Sequence, residues 1–101
     1  MNDATTAEET RWRARPGHDL VWSQLGDTYV AYHRPSGRTH FFNAATADLI
    51  EHVLGVPRTV RAAADELAAR EEAAADAAFV AAVADTLARL AHLGLIERCE
   101  P

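Results

Sequence analysis

The chain has no lysine, one cysteine and only two serines among its 101 residues. Cys99 has no second cysteine to pair with, which excludes an intramolecular disulfide and a zinc site built from cysteines. No apolar run approaches the roughly 18 residues that a membrane-spanning helix requires. The N-terminus, MNDATTAEET, is polar and acidic and does not resemble a signal peptide. We therefore expect a cytoplasmic protein that has no membrane partner.

The residue patterns that most enzymes depend on are missing too. Ser23 falls in a predicted strand and Ser36 in a predicted turn, and neither lies in the strained strand-to-helix turn of a nucleophilic serine. The five glycines are scattered and form no phosphate-binding loop. The sequence thus predicts a protein that is not an enzyme, with no catalytic residues and no cofactor.

Charge and length set two further bounds. Fifteen acidic residues against ten arginines give a net charge of −5, which disfavours a nucleic-acid partner. The chain is 49% hydrophobic and has the length of one domain, so it can build a single core. Residues 1–10 show no apolar periodicity and predict a disordered tail, which leaves residues 11–98 as one domain.

What the sequence does contain begins with a strand-rich segment. Residues 18–34 carry β-branched and aromatic residues around a Gly26-Asp27 turn, and Pro35-Ser36-Gly37 marks a second turn before RTHFFN. These features predict three antiparallel strands in a meander. A first turn centred on Gly26-Asp27 places Trp22 opposite Ala31. The pattern leaves open which face of this sheet packs on the helices.

A second turn centred on Ser36-Gly37 pairs His33 with His40 across the strands. Two histidine rings that are cross-strand neighbours could share a metal ion. Zinc, however, requires three or four protein ligands, and only His18 or Asp19 could add to the pair. We therefore expect no metal, and two amphipathic side chains beside an exposed turn.

Helical periodicity follows the strands. Asn43 is a predicted N-cap for a first helix that ends near Gly55, and Thr59 caps a second. The alanine-rich residues 71–75 either continue that helix or form a loop. The third helix is the clearest, and Gly94 ends it. The predicted fold is therefore α+β: an N-terminal three-stranded antiparallel sheet followed by a three-helix bundle, in a winged-helix-like arrangement.

The order of these elements resembles the PqqD-like family of peptide chaperones. The residues that carry the resemblance are Phe42-Asn43-Ala44-Ala45 after the last strand, the Leu49-Ile50 and Val53-Leu54 pairs, Arg58-Thr59-Val60, and LARLAHLGLIE at residues 87–97. The stretch YHRPSGRTHFFN at residues 32–43 is particularly similar to a subgroup associated with an HPr-kinase-related protein. The likeness covers about residues 12–97.

The resemblance implies a recognition element for ribosomally made precursor peptides. It implies that the leader segment of the precursor is captured as an added strand on the third strand, in a groove closed by the third helix. The partners it implies are the leader peptide and an enzyme that modifies the distal part of that peptide. The sequence permits this, because the third strand lies at the edge of a meander and Arg38 is its one charged residue.

The expected peptide-binding residues lie on two elements. On the third strand they are Arg38, Thr39, His40, Phe41 and Phe42, and on the third helix Phe79, Val80, Val83 and Leu87. For each apolar member a plain core role is the alternative.

Two other functions compete with peptide capture. One is a winged-helix DNA-binding regulator, although the third helix is slightly acidic, with Asp76 and Asp85 against Arg89. The other is a non-catalytic scaffold that forms a homodimer through the same open edge.

Overall fold

The computed structural model describes residues 10–15 and 19–99. These residues form an α+β structure with antiparallel sheets and three helices. The tail expected over residues 1–10 lies outside the described residues except for Thr10, and so does His18.

The described elements, in chain order, are five strands and three helices. They are β1 (Arg11–Ala14), β2 (Leu20–Leu25), β3 (Thr28–His33), β4 (Arg38–Phe42), α1 (Ala44–Asp48, continued by a π-helical turn, Leu49–Val53), α2 (Val60–Arg70), α3 (Ala77–His92) and β5 (Ile96–Cys99).

The predicted meander is present as a sheet of order β2-β3-β4, but it is not the only sheet. A second sheet pairs β1 with β5, from Arg11 opposite Cys99 to Ala14 opposite Ile96. Trp12 also exchanges two backbone hydrogen bonds with Arg58, at 2.8 and 2.9 Å. The prediction of a single three-stranded sheet was therefore wrong in this respect, because residues 96–99 form a strand after α3 and pair with β1.

The first hairpin has the predicted register, with Trp22 opposite Ala31. The second hairpin does not, because β4 pairs Ala31 with His40 and His33 with Arg38. The physical reason is the turn, which takes four residues, 34–37, instead of two. The N–H of Gly37, at φ +72°, donates to the carbonyl of His33 at 2.8 Å, and the shift moves the pairing by two residues.

A two-residue shift leaves every side chain on its predicted face, since strand side chains alternate with a period of two. Of the two faces, the helices cover the one whose residues are buried or half-buried: Leu20, Trp22, Ala31, His33, His40 and Phe42. This settles the question that the sequence left open.

The helices begin where the sequence predicts. Asn43 accepts a hydrogen bond from the N–H of Thr46 at 2.8 Å, and Thr59 accepts one from that of Ala62 at 3.1 Å. α2 ends at Arg70 and residues 71–76 form a connection, so the loop interpretation of the alanine-rich segment is confirmed. The core lies between the three helices, the inner sheet face and β5. Its largest fully buried side chains are Leu49, Leu54, Leu87, Leu90, Leu95 and Val53.

Candidate functional site

The outer edge of β4 carries no other strand among the residues that the structure describes. The hydrogen-bonding pattern shows which residues face outward along it. The N–H of Arg34 donates to the carbonyl of Asp19 at 2.9 Å, so the even-numbered residues of β3 bond to β2 and the odd-numbered ones bond to β4. In β4 the partners of those odd residues are Arg38, His40 and Phe42. Thr39 and Phe41 therefore direct their N–H and C=O groups away from the sheet.

A cleft of about 350 Å³ lies beside this edge, between β4, the start of α1 and the C-terminal end of α3. Its lining residues are His40, Phe41, Phe42, Asn43, Thr46, Arg89 and Leu93. A strand that bonded to Thr39 and Phe41 would send alternate side chains to the inner side of the sheet. Edge and cleft thus form one continuous candidate peptide-binding site.

His40 lies at the junction of the edge and the cleft. Its ring stacks on that of Phe42, with centroids 5.9 Å apart and planes 11° from parallel. Its Nε2 is buried and has no hydrogen-bond partner. Burial is the main cause that lowers the pKa of His40 below its usual value of 6.5, and the neighbouring His33 and Arg38 lower it further. The neutral form of the ring therefore predominates at pH 7.

The two histidines are near neighbours, with ring centroids 6.4 Å apart. Nδ1 of His33 is already in a 2.8 Å hydrogen bond with the hydroxyl of Ser36. Within the described part of the chain, no three histidine, cysteine, aspartate or glutamate side chains lie close enough together to hold a metal ion. The pair alone provides two of the three or four ligands that zinc needs.

The structure separates the nine predicted site residues into two groups. Those on β4 lie at the edge. The backbone N–H and C=O groups of Thr39 and Phe41 point away from the sheet, His40 and Phe42 line the cleft, and Arg38 is exposed beside the turn. Of those on α3, Val83 is only 4% exposed and Leu87 1%, which places both in the core. Phe79 and Val80 are half-buried and pack against that core. None of the four lines the cleft.

Sequence reasoning missed the residues that form the far wall of the cleft. Arg89 and Leu93 are four residues apart and therefore project from the same side of the helix end. The apolar periodicity identified the buried stripe of α3, which is a different stripe from the one that faces β4. Arg89 and Leu93 could have been proposed only if the crossing of α3 over the sheet had been known.

The outer face of the three-stranded sheet is apolar and uncovered by any described element. Val21, Leu25, Tyr32 and Phe41 are 45%, 66%, 44% and 67% exposed. The other residues that alternate onto this face are also uncharged: Ser23, Thr28, Val30 and Thr39. A solvated sheet face normally carries polar and charged side chains, so this face is suited to contact another protein.

Two findings complete the description of the site. No helix among the described residues has the length and apolar character needed to cross a bilayer. Comparison of the chain with models of known protein families, with curated proteins and with solved structures finds no match to any of them.

Proposed function

We propose that this protein is a PqqD-like peptide chaperone that captures the leader segment of a ribosomally made precursor as an additional strand on β4. The observation that carries the proposal is the open edge at Thr39 and Phe41 beside the cleft. Edge strands with free backbone groups attract other strands, and proteins normally block them with charge, proline or a covering element. β4 has one charged residue, Arg38, no proline, and no cover among the described residues.

The strength of such binding follows from the same geometry. The N–H and C=O groups of Thr39 and Phe41 offer four backbone hydrogen bonds, each worth a net ~1 kcal/mol. One or two apolar side chains of the peptide against Phe42 and Leu93 add ~2 kcal/mol each. The ordering of a flexible peptide reduces this sum. The result is a dissociation constant on the order of micromolar or weaker, which suits a chaperone that later releases its cargo.

The second partner in this proposal is the enzyme that modifies the precursor. The chaperone itself acts by binding, in the cytoplasm, without a cofactor and without catalysis. A peptide strand added to β4 would extend the uncharged outer sheet face, since its outward side chains would continue the row that ends at Phe41. The enzyme would then contact the chaperone and the peptide on one surface. We also propose that the sheet and the helices together form the winged-helix-like fold expected of this family.

A second copy of the chain is an alternative occupant that the edge itself favours. A two-fold axis at His40 would place Thr39 opposite Phe41 of the other copy, and the outward groups of both residues would then be bonded. In this alternative the protein is a dimeric scaffold and the edge is not free for a peptide.

One experiment tests capture and separates it from dimerisation. A display library of random nonapeptides is selected on the immobilised protein, and the best peptide is titrated into ¹⁵N-labelled protein. We expect the largest amide shifts at Thr39 and Phe41, and light scattering that reports a monomer before and after addition. A dimer that dissociates on peptide addition supports a shared edge. Selected peptides that shift amides only elsewhere would refute strand addition on β4.

A further inference from the structure

The polar side chains that line the cleft, His40, Asn43, Thr46 and Arg89, include one cation and no anion. Arg89 is exposed at the rim, and no carboxylate is among the lining residues. Among the described residues no carboxylate forms an ion pair with Arg89, whereas Arg61 on α2 does pair with Asp65, its neighbour four residues on, at 3.6 Å. Asp85 also lies four residues from Arg89, although before it and not after it, and does not make this contact. The guanidinium of Arg89 therefore remains available to a group that enters the cleft.

His40 provides a second, independent sign that the cleft takes a polar group. A buried polar atom is normally hydrogen-bonded, and leaving one unpaired is costly. Nε2 of His40 has no partner, although the ring lines the cleft, where it stacks on Phe42. The wall on the other side, Leu93, is apolar and offers Nε2 no partner. A ligand atom in the cleft, reached by a small rotation of the ring, would satisfy it.

The side chains of a captured strand reach the cleft at every second position. His40 and Phe42 point to the inner side of the sheet, and so would alternate residues of a strand bonded to Thr39 and Phe41. One of these inward side chains would pass between Phe42 and Leu93 towards His40 and Arg89. A side chain that fits this path has a short apolar stem and a terminal group that accepts hydrogen bonds.

We propose that the cleft recognises an acidic residue, aspartate or glutamate, at one inward-facing position of the captured peptide. Arg89 pairs with the carboxylate, and His40, in the neutral tautomer that carries its proton on Nε2, donates a second hydrogen bond to it. Phe42 and Leu93 contact the methylene groups of the same side chain. This inference rests on the proposed capture of a peptide by β4, and it adds the chemical class of the peptide residue that the cleft recognises.

The overall charge of the protein makes this preference selective. With a net charge of −5, the chain as a whole repels acidic peptides, so an acid is favoured only where a local cation offsets that repulsion. A peptide with its acid at an outward position would meet the uncharged outer face and gain nothing. The position of the acid, and not its mere presence, would decide binding.

The test is the nonapeptide selection performed in parallel on three proteins. They are the wild type, Arg89→Glu, and the control Arg61→Glu, which makes the same change in net charge on the exposed side of α2. We expect the wild type and the control to enrich aspartate or glutamate at one position of an extended motif. We expect Arg89→Glu to enrich lysine or arginine at that position instead. Arg89 is exposed, so its replacement should leave the fold intact.

Binding measurements on one selected peptide then quantify the contact. Changing its acidic residue to the matching amide should weaken binding to the wild type about three- to tenfold, as for a partly exposed charge-assisted hydrogen bond. The Arg89→Gln protein should bind the acidic peptide and its amide version with the same affinity. Selected peptides that shift the Thr39 and Phe41 amides but show no acidic position would overturn this inference and leave peptide capture standing. A library from which no peptide is enriched above background would overturn both.

Discussion

Replacing Thr39 with proline should weaken peptide capture while leaving the fold intact. The N–H of Thr39 points away from the sheet, so its loss removes no hydrogen bond between β3 and β4. Proline is tolerated at edge positions of this kind. An incoming strand, however, loses one donor and meets the bulk of the ring at the centre of its ladder.

The size of the effect follows from the number of bonds that the edge offers. One of four backbone hydrogen bonds is lost, and the peptide carbonyl that would have accepted it is left unpaired. Such a loss costs about 1–3 kcal/mol, which corresponds to a dissociation constant about 5 to 150 times higher. Fluorescence anisotropy with a selected nonapeptide measures this directly, and far-ultraviolet circular dichroism checks that the variant is folded.

The opposite edge of the same sheet supplies a matched control. By the same alternation Gln24 on β2 also directs its N–H away from its neighbouring strand, and its side chain is exposed. Gln24→Pro should therefore disturb the sheet as little as Thr39→Pro does, and should bind peptide like the wild type. A folded Thr39→Pro protein with unchanged affinity would refute capture at β4. Equal losses in the two variants would point to a general effect on the sheet.

Three further predictions concern the edge, the core and the buried histidine. Phe41→Glu should weaken peptide binding about fivefold through the loss of one cross-strand side-chain contact. The control Leu25→Glu, at a position on the same face that is as exposed, should leave binding unchanged. Equal effects of the two substitutions would contradict peptide binding at the β4 edge. Leu87→Ala should lower the free energy of unfolding, measured in urea, by about 2–5 kcal/mol, because this side chain is buried in the core. A loss well under about 1 kcal/mol would contradict a core position for Leu87. Burial lowers the pKa of His40 in the folded protein, so on acidification the unfolded chain binds a proton at a higher pH than the folded protein does. The contribution of His40 to the free energy of unfolding should therefore be complete above pH 6.5 and be lost as the pH falls through the lowered pKa. Urea titrations at about pH 7.5 and about pH 5.5 on the wild type and His40→Gln check this, and an equally large decrease in the variant would contradict it.

The sequence was sufficient for features that depend on neighbouring residues. The caps at Asn43 and Thr59 and the first hairpin all rest on signals within a few residues, and the structure confirms each of them. The pairing of β1 with β5 joins residues almost ninety positions apart, from Arg11 to Cys99, and each of the two strands is only four residues long. Only the packing of the whole chain brings these two strands together.

The candidate site divides along the same line. Residues of β4 could be named in advance because an edge strand follows from the order of the meander. The α3 residues that face them could not, because the apolar stripe that announces a helix is the stripe that the core buries. The wall of a cleft is formed instead by residues beside that stripe, such as Arg89 and Leu93, which look ordinary in sequence.

If β4 captures a peptide as proposed, its open edge must also discriminate between that peptide and a second copy of the same protein, and the proposed acid site in the cleft would do so. Pairing of β4 with itself about His40 satisfies the outward backbone groups of Thr39 and Phe41 in both copies. The strand RTHFFN, however, contains no acid, so it leaves Arg89 without a carboxylate and Nε2 of His40 without a partner. A peptide with one inward acid would make the same backbone bonds and would satisfy these two groups as well. On this proposal the difference in binding free energy between the two occupants would come from side-chain contacts in the cleft, because the backbone hydrogen bonds would be the same for both.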